Sequence, residues 1–95
     1  MPTIRQQIID LLAETEMTAL DLSRALSIRE KAVYDHLSHA AKSASAQGRK
    51  FVVVPPKCLA CGFTFDTRKR LTRPSRCPRC KEQRIREPVF SIETP

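Results

Sequence analysis

Four cysteines in two close pairs constrain this chain more than any other feature. They stand as Cys58-Leu59-Ala60-Cys61-Gly62 and Cys77-Pro78-Arg79-Cys80, a C-x₂-C…C-x₂-C pattern with fifteen residues between the pairs. Two residues between cysteines let the backbone turn tightly enough to aim both sulfurs at one point. The same turn directs backbone N–H groups at the sulfurs and eases the thiolate charge. Gly62 can take the positive φ that such a turn needs after its second cysteine. Four thiolates from two such turns close a tetrahedral shell with no open position, which suits a structural metal and not a catalytic one. The spacing lies within that of zinc sites. Chains below about 40 residues usually need a metal, a disulfide or a partner to fold. Cys58, Cys61, Cys77 and Cys80 are therefore expected to bind one structural Zn²⁺.

Rival readings of the cysteines depend on compartment. The start, Met1-Pro2-Thr3-Ile4-Arg5, has no apolar signal core. The longest compact apolar run, Phe51 to Val54, is far too short to span a membrane. A cytoplasmic protein is expected, in which thiols stay reduced and two disulfides are disfavoured. A redox pair is disfavoured by two C-x-x-C units in a lobe without a β-α-β pattern. Iron is the serious alternative, because the paired knuckles resemble those of rubredoxin. The chain departs from that pattern: Lys81 stands where rubredoxins have Gly, the lobe is basic, and an aromatic-rich core is missing. A rubredoxin-like electron carrier thus stays open beside the zinc reading. Colour separates them, since ferric tetrathiolate is red and zinc is colourless.

The first half reads as three helices. Ile4, Ile8, Leu11 and Leu12 recur at helical spacing between Arg5, Gln6, Asp10 and Glu14, which predicts an amphipathic helix from Thr3 to Glu16 with Thr3 as its cap. Thr18-Ala19-Leu20-Asp21 is a short-armed capping box for a second, short helix with Leu22 and Leu26 on one face. Ser27-Ile28-Arg29-Glu30 reads as a capping box for a third. Val33, Leu37, Ala40 and Ala44 line one side of it, and Gly48 stops it. His36, beside Val33 and Leu37 in projection, reads as a packing residue. Strands are expected at Phe51–Val54, Phe63–Phe65 and Val89–Ile92, with a basic loop from Thr67 to Arg76. The division is a helical lobe over 1–50 and a strand, four-cysteine ribbon and last strand over 51–95.

Helix, short helix, tight turn and helix is the order of a helix-turn-helix unit. The run Met17-Thr18-Ala19-Leu20-Asp21-Leu22-Ser23-Arg24-Ala25-Leu26, then Ser27-Ile28, then Ala32-Val33-Tyr34-Asp35-His36-Leu37, resembles the winged helix-turn-helix family of transcription regulators. Small Ala25 would let two helices cross closely. Ser27 stands where that family often has Gly, and Arg29 where it often has Ser or Thr. No ordinary two-stranded wing is visible after the third helix. With Val52-Val53-Val54-Pro55, Cys58-Leu59-Ala60-Cys61-Gly62-Phe63 and Arg73-Pro74-Ser75-Arg76-Cys77-Pro78-Arg79-Cys80, the whole chain resembles a family of predicted transcription regulators that fuse a winged helix to a rubredoxin-like zinc ribbon. The resemblance implies an α+β fold. In it a three-helix winged helix-turn-helix packs with a small C-terminal ribbon that replaces much of the wing.

Charge bears on partners. The net charge is +7, of which residues 1–50 carry +1 and residues 51–95 carry +6. A positive surface of this kind favours polyanions. Read as a recognition helix of about 28–44, the third helix offers Arg29, Lys31, Tyr34 and Ser38 to double-stranded DNA. In the ribbon, Arg68, Lys69, Arg70, Arg73, Arg76, Arg79, Lys81, Arg84 and Arg86 crowd together with Glu82 as the one acid among them. Of these, Arg73, Arg76 and Arg79 are the chosen phosphate contacts. Such contacts add salt dependence and little sequence information. The other reading of these residues is a solvated surface. Archaeal-type transcription factor E also pairs a winged helix with a zinc ribbon, so a protein-interaction module of the transcription machinery is the second reading. A homodimer would suit palindromic sites. Two glycines cannot build a phosphate-cradling loop, and no serine, histidine and acid grouping stands out, so no enzymatic activity is expected.

Overall fold

The computed structural model describes residues 3–65, 71 and 73–93. Arg68, Lys69, Arg70 and much of the expected basic loop fall outside the described residues. Helix α1 spans Ile4–Glu14, and the Thr3 hydroxyl accepts from the Gln6 N–H at its start. Helix α2 spans Ala19–Leu26 and opens on the expected capping box. The Thr18 hydroxyl accepts from the Asp21 N–H, and the Asp21 carboxylate accepts from the Thr18 N–H. Helix α3 spans Glu30–Ala46 and ends before Gly48, whose φ is +74°.

The expected capping box of α3 does not form. Ser27 closes α2 instead, in the left-handed region at φ 55°, and its N–H bonds to the Ser23 carbonyl. The Ile28 N–H bonds to that same carbonyl at 3.1 Å, so the turn itself satisfies the Ser23 carbonyl near the end of α2. Arg29 is left as the N-cap of α3 and makes no side-chain capping bond. Ser27 therefore serves the helix before it, two residues too early to cap the next.

Buried Ile8, Ile9 and Leu12 of α1, Ala19 and Leu22 of α2, and Val33, Leu37, Ala40 and Ala44 of α3 build one core. The small residue at the α2 contact is Ala19, since Ala25 is exposed. His36 is half-buried, as expected, beside Thr3, Ile4 and Arg5.

Two strands complete this core. Strand β1 (Lys50–Val54) pairs antiparallel with the last strand, Val89–Glu93, in the register Phe51↔Ile92 and Val53↔Phe90. Between them the chain forms two short strands, β2 (Lys57–Cys58) and β3 (Ile85–Arg86), so Val89–Glu93 is β4. No ordinary two-stranded wing directly follows α3, as expected from the sequence, but the two expected strands at 51–54 and 89–92 do pair with each other. The two strands are present, with the cysteine ribbon inserted between them. Their pairing was hidden because the partner of β1 lies beyond the whole ribbon in sequence. Phe90 and Ile92 are buried against the helices, and Phe51 stacks on Phe90 at 6.0 Å between ring centroids. On the other side of β4, Met17 and Phe90 exchange both backbone hydrogen bonds, at 2.9 and 2.8 Å.

The ribbon has its own small core of Cys58, Phe65, Cys77 and Ile85, with Phe63 and Cys80 packed against it. Phe63–Phe65 does not form a full strand. It contributes one bridge, Thr64↔Lys57, flanked by the Cys58 N–H on the Phe63 carbonyl and the Phe65 N–H on the Pro56 carbonyl. Phe63 and Phe65 meet edge to face, so both rings stay on the ribbon's inner side. Leu71 packs against the helical core.

Candidate metal centre and basic surface

The two knuckles share one backbone design. In the first, the Gly62 N–H bonds to the Cys58 carbonyl at 3.0 Å and the Cys58 N–H to the Phe63 carbonyl at 2.8 Å. In the second, the Lys81 N–H bonds to the Cys77 carbonyl and the Cys77 N–H to the Glu82 carbonyl, both at 2.9 Å. Each turn then needs a positive φ at the residue after its second cysteine. Gly62 takes it at +80° and Lys81 at +67°. Lys81 is the residue whose structural role the sequence reading missed. Its alignment with Gly62, one place beyond each C-x₂-C, was the available clue.

These turns bring all four sulfurs within 4.8 Å of one another. Cys58 Sγ lies 3.5 Å from Cys80 Sγ, and Cys61 Sγ lies 3.6 Å from Cys77 Sγ. A tetrahedral zinc with Zn–S bonds of about 2.3 Å separates its sulfurs by roughly 3.8 Å. The four cysteines are free thiols, and their spacing is that of a tetrathiolate shell, not of disulfides. Backbone dipoles favour charge at two of them. Hydrogen bonding from the Cys61 N–H lowers the Cys58 thiol to about 7, against the opposing effect of burial and with help from the Ala60 N–H. Burial raises the Cys77 thiol, but the Cys80 and Arg79 N–H groups outweigh it and the net shift is downward. The Arg79 N–H lies 3.4 Å from Cys77 Sγ. At Cys80 a backbone bond at Glu82 lowers the pKa, and burial with hydrogen bonds from the neighbouring sulfurs overrides it, pushing the thiol up to about 12. Donor set, closed shell and spacing all suit a structural zinc ion.

The sequence-predicted surface residues divide in three ways. Lys31 and Ser38 are exposed on α3, opposite its buried stripe, Arg29 is exposed at the N-cap before it, and the Ser38 hydroxyl bonds back to the Asp35 carbonyl. Tyr34 turns to the flank of the helix and is half-buried against the core. Its hydroxyl donates to Glu30 Oε1 at 3.1 Å. Burial first, then Glu30 and Glu87, push its pKa up to about 12, while nearby Arg73 lowers it. Arg73, Arg76 and Arg79 are exposed along the ribbon. Among the described residues no hydrogen bond or ion pair joins Lys31 or Ser38 to Arg76 or Arg79. Arg73 comes within electrostatic reach of the helix, at Tyr34.

The arrangement defines a class of protein, a three-helix lobe with paired strands that carries a rubredoxin-like zinc ribbon. Residues 3–52 match the model of the PF0610-like N-terminal domain, and residues 55–95 match that of the PF0610 rubredoxin-like zinc beta-ribbon domain. The solved solution structure of protein PF0610 from Pyrococcus furiosus is 34% identical, with a TM-score of 0.82, over 97% of this chain and 90% of that one. This chain belongs to the PF0610-like family. No curated protein matches it at a significant level.

Proposed function

We propose that the protein is a DNA-binding transcriptional regulator of winged helix-turn-helix type, acting in the cytoplasm. The observation that carries this reading is the outer face of α3. Val33, Leu37, Ala40 and Ala44 anchor the helix on α1 and α2, while Arg29 and Lys31 remain open at its N-terminal end, with Ser38 open two turns further on. That is the part of a recognition helix that meets base edges in a major groove. The order of elements supports the reading. A helix is followed by the Met17 bridge, two helices, and the pair β1–β4, with Phe90 of β4 seated between Met17 and Val53 of β1. In this reading β1 and β4 are the wing strands, and the ribbon extends the wing. Exposed Arg73, Arg76 and Arg79 then supply sequence-independent grip on phosphates. Two copies would read a palindromic site. Selection of bound sequences from random duplex DNA, at stated salt, tests the proposal. Enrichment of one motif is the expected result, with loss of the enrichment in Lys31→Ala. Recovery of random sequence from the holo protein would defeat it.

A further inference from the structure

A second surface lies on the ribbon, apart from the arginines assigned above. Cys58 and Ile85 are buried and paired across β2 and β3, so they point to the metal side. Strand geometry sends the residues before and after them to the opposite face. Lys57 pairs with Arg86, and the Leu59 N–H bonds to the Arg84 carbonyl at 2.9 Å, which sets Leu59 beside Arg84. Thr64 continues the row beyond Lys57, and the Lys57 side chain runs over Gly62. The outer face therefore presents Lys57, Arg84 and Arg86 around Leu59, with Leu59 64% exposed. No carboxylate ion pair meets any of the three cations among the described residues. Arg86 bonds to the Pro55 carbonyl. Leu59 sits inside the first C-x₂-C turn, so closure of the metal shell fixes its position.

We propose that this face docks an acidic peptide segment carrying a large apolar side chain, contributed by a protein partner. The three cations supply the charge complement, and Leu59 supplies an apolar contact at their centre. Phosphates alone do not suit it, because they would match the cations and leave Leu59 without a partner. In the second knuckle Pro78 stands where the first has Leu59 and Arg79 where it has Ala60, so that tip offers a small ring and a cation in place of a long apolar side chain. The two knuckles thus differ in what they expose, and the inference stands independently of DNA binding by α3.

The test uses the full zinc-loaded chain and short synthetic peptides that alternate Asp and Glu around a central Leu-Phe pair. Controls have that pair replaced by Ser-Ser. Anisotropy and amide chemical-shift mapping are the readouts. The apolar peptide should bind and shift residues 57–59 and 84–86. Leu59→Ala should weaken it by about tenfold or more, in line with burial of a leucine side chain. Lys57→Glu with Arg84→Glu should weaken it further, at normal zinc content. Leu59→Ala should leave affinity for duplex DNA unchanged. Equal binding of the Ser-Ser control, shifts confined to residues 73–79, or no binding would overturn the proposal. So would parallel loss of DNA and peptide binding in Leu59→Ala, which would make the face a nucleic-acid contact.

Discussion

Lys81 holds in the second knuckle, at φ +67°, the position that Gly62 holds in the first at φ +80°. A side chain in the left-handed region costs roughly 1–2 kcal/mol relative to the right-handed one. Lys81→Gly should therefore stabilise the ribbon, by about 1 kcal/mol once the extra freedom of glycine in the unfolded chain is offset. Gly62→Ala should destabilise it by a similar amount, although a Cβ at Gly62 meets nothing closer than the Lys57 stem at 4.0 Å. Zinc competition against a chromophoric chelator, with thermal melts of both variants, reads the two signs. Equal shifts in the same direction would show that the positive φ is not the controlling feature.

The metal should hold one lobe and not the other. Among the described residues, the ribbon core contains two cysteines and two other buried apolar residues, whereas the helical core contains eleven buried residues. Cys77→Ser should abolish stoichiometric zinc and release the amides of residues 57–86 to solvent exchange. The helices, and the Met17–Phe90 bridge with them, should stay protected. Full zinc occupancy in that variant would count against a closed four-thiolate site.

Zinc affinity should fall as the solution is acidified. The folded-state Cys58 thiol is depressed, from about 9 to about 7, so its contribution is present above the ordinary thiol range and is lost as pH falls through about 7. Cys80, pushed up to about 12, keeps its proton until metal displaces it. Calorimetry of zinc binding in buffers of different ionisation enthalpy should show net proton release at pH 8. The release should grow as pH is lowered toward 6. A pH-independent affinity over that range would rule out thiolate ligation.

Much of this architecture is legible in local pattern, and the limits have physical causes. The buried stripe Val33, Leu37, Ala40 and Ala44 follows from helical periodicity, and the Thr18–Asp21 box and the four cysteines from spacing over a few residues. Ser27 closes α2 where a cap for α3 is expected, because the residue types that cap a helix start also tolerate the turn that ends one. The pairing of β1 with β4 depends on contacts between residues far apart in sequence, which no short window contains. Tyr34, read with the DNA-facing residues, falls on the flank of α3 between the buried and open faces, where helical periodicity does not separate the two. That cap error itself leads to a test. Arg29 makes no capping bond, so Arg29→Ser should stabilise α3 by about 0.5–2 kcal/mol while removing a proposed DNA contact. Melting temperature and DNA affinity should move in opposite directions.

In the proposed DNA complex the two lobes divide the labour. Six of the seven net positive charges belong to residues 51–95, and Arg73, Arg76 and Arg79 are exposed there. Each phosphate contact releases counterions, so log affinity falls with log salt by about 0.9 per contact. Replacing the three arginines with Ala should weaken binding to all duplexes by similar factors. The salt slope should flatten by roughly two to three units. Replacing Lys31 should instead narrow the gap between preferred and random DNA, with a slope change of at most about one unit. Arg79 lies inside a knuckle and its N–H faces Cys77 Sγ, so zinc content must be measured in each variant. Alanine keeps that N–H, and normal metal loading is the expected result. If the triple variant held random DNA as tightly as the parent, with an unchanged slope, the second knuckle would not be the phosphate grip. The open face of α3 would then have to account for any DNA affinity alone.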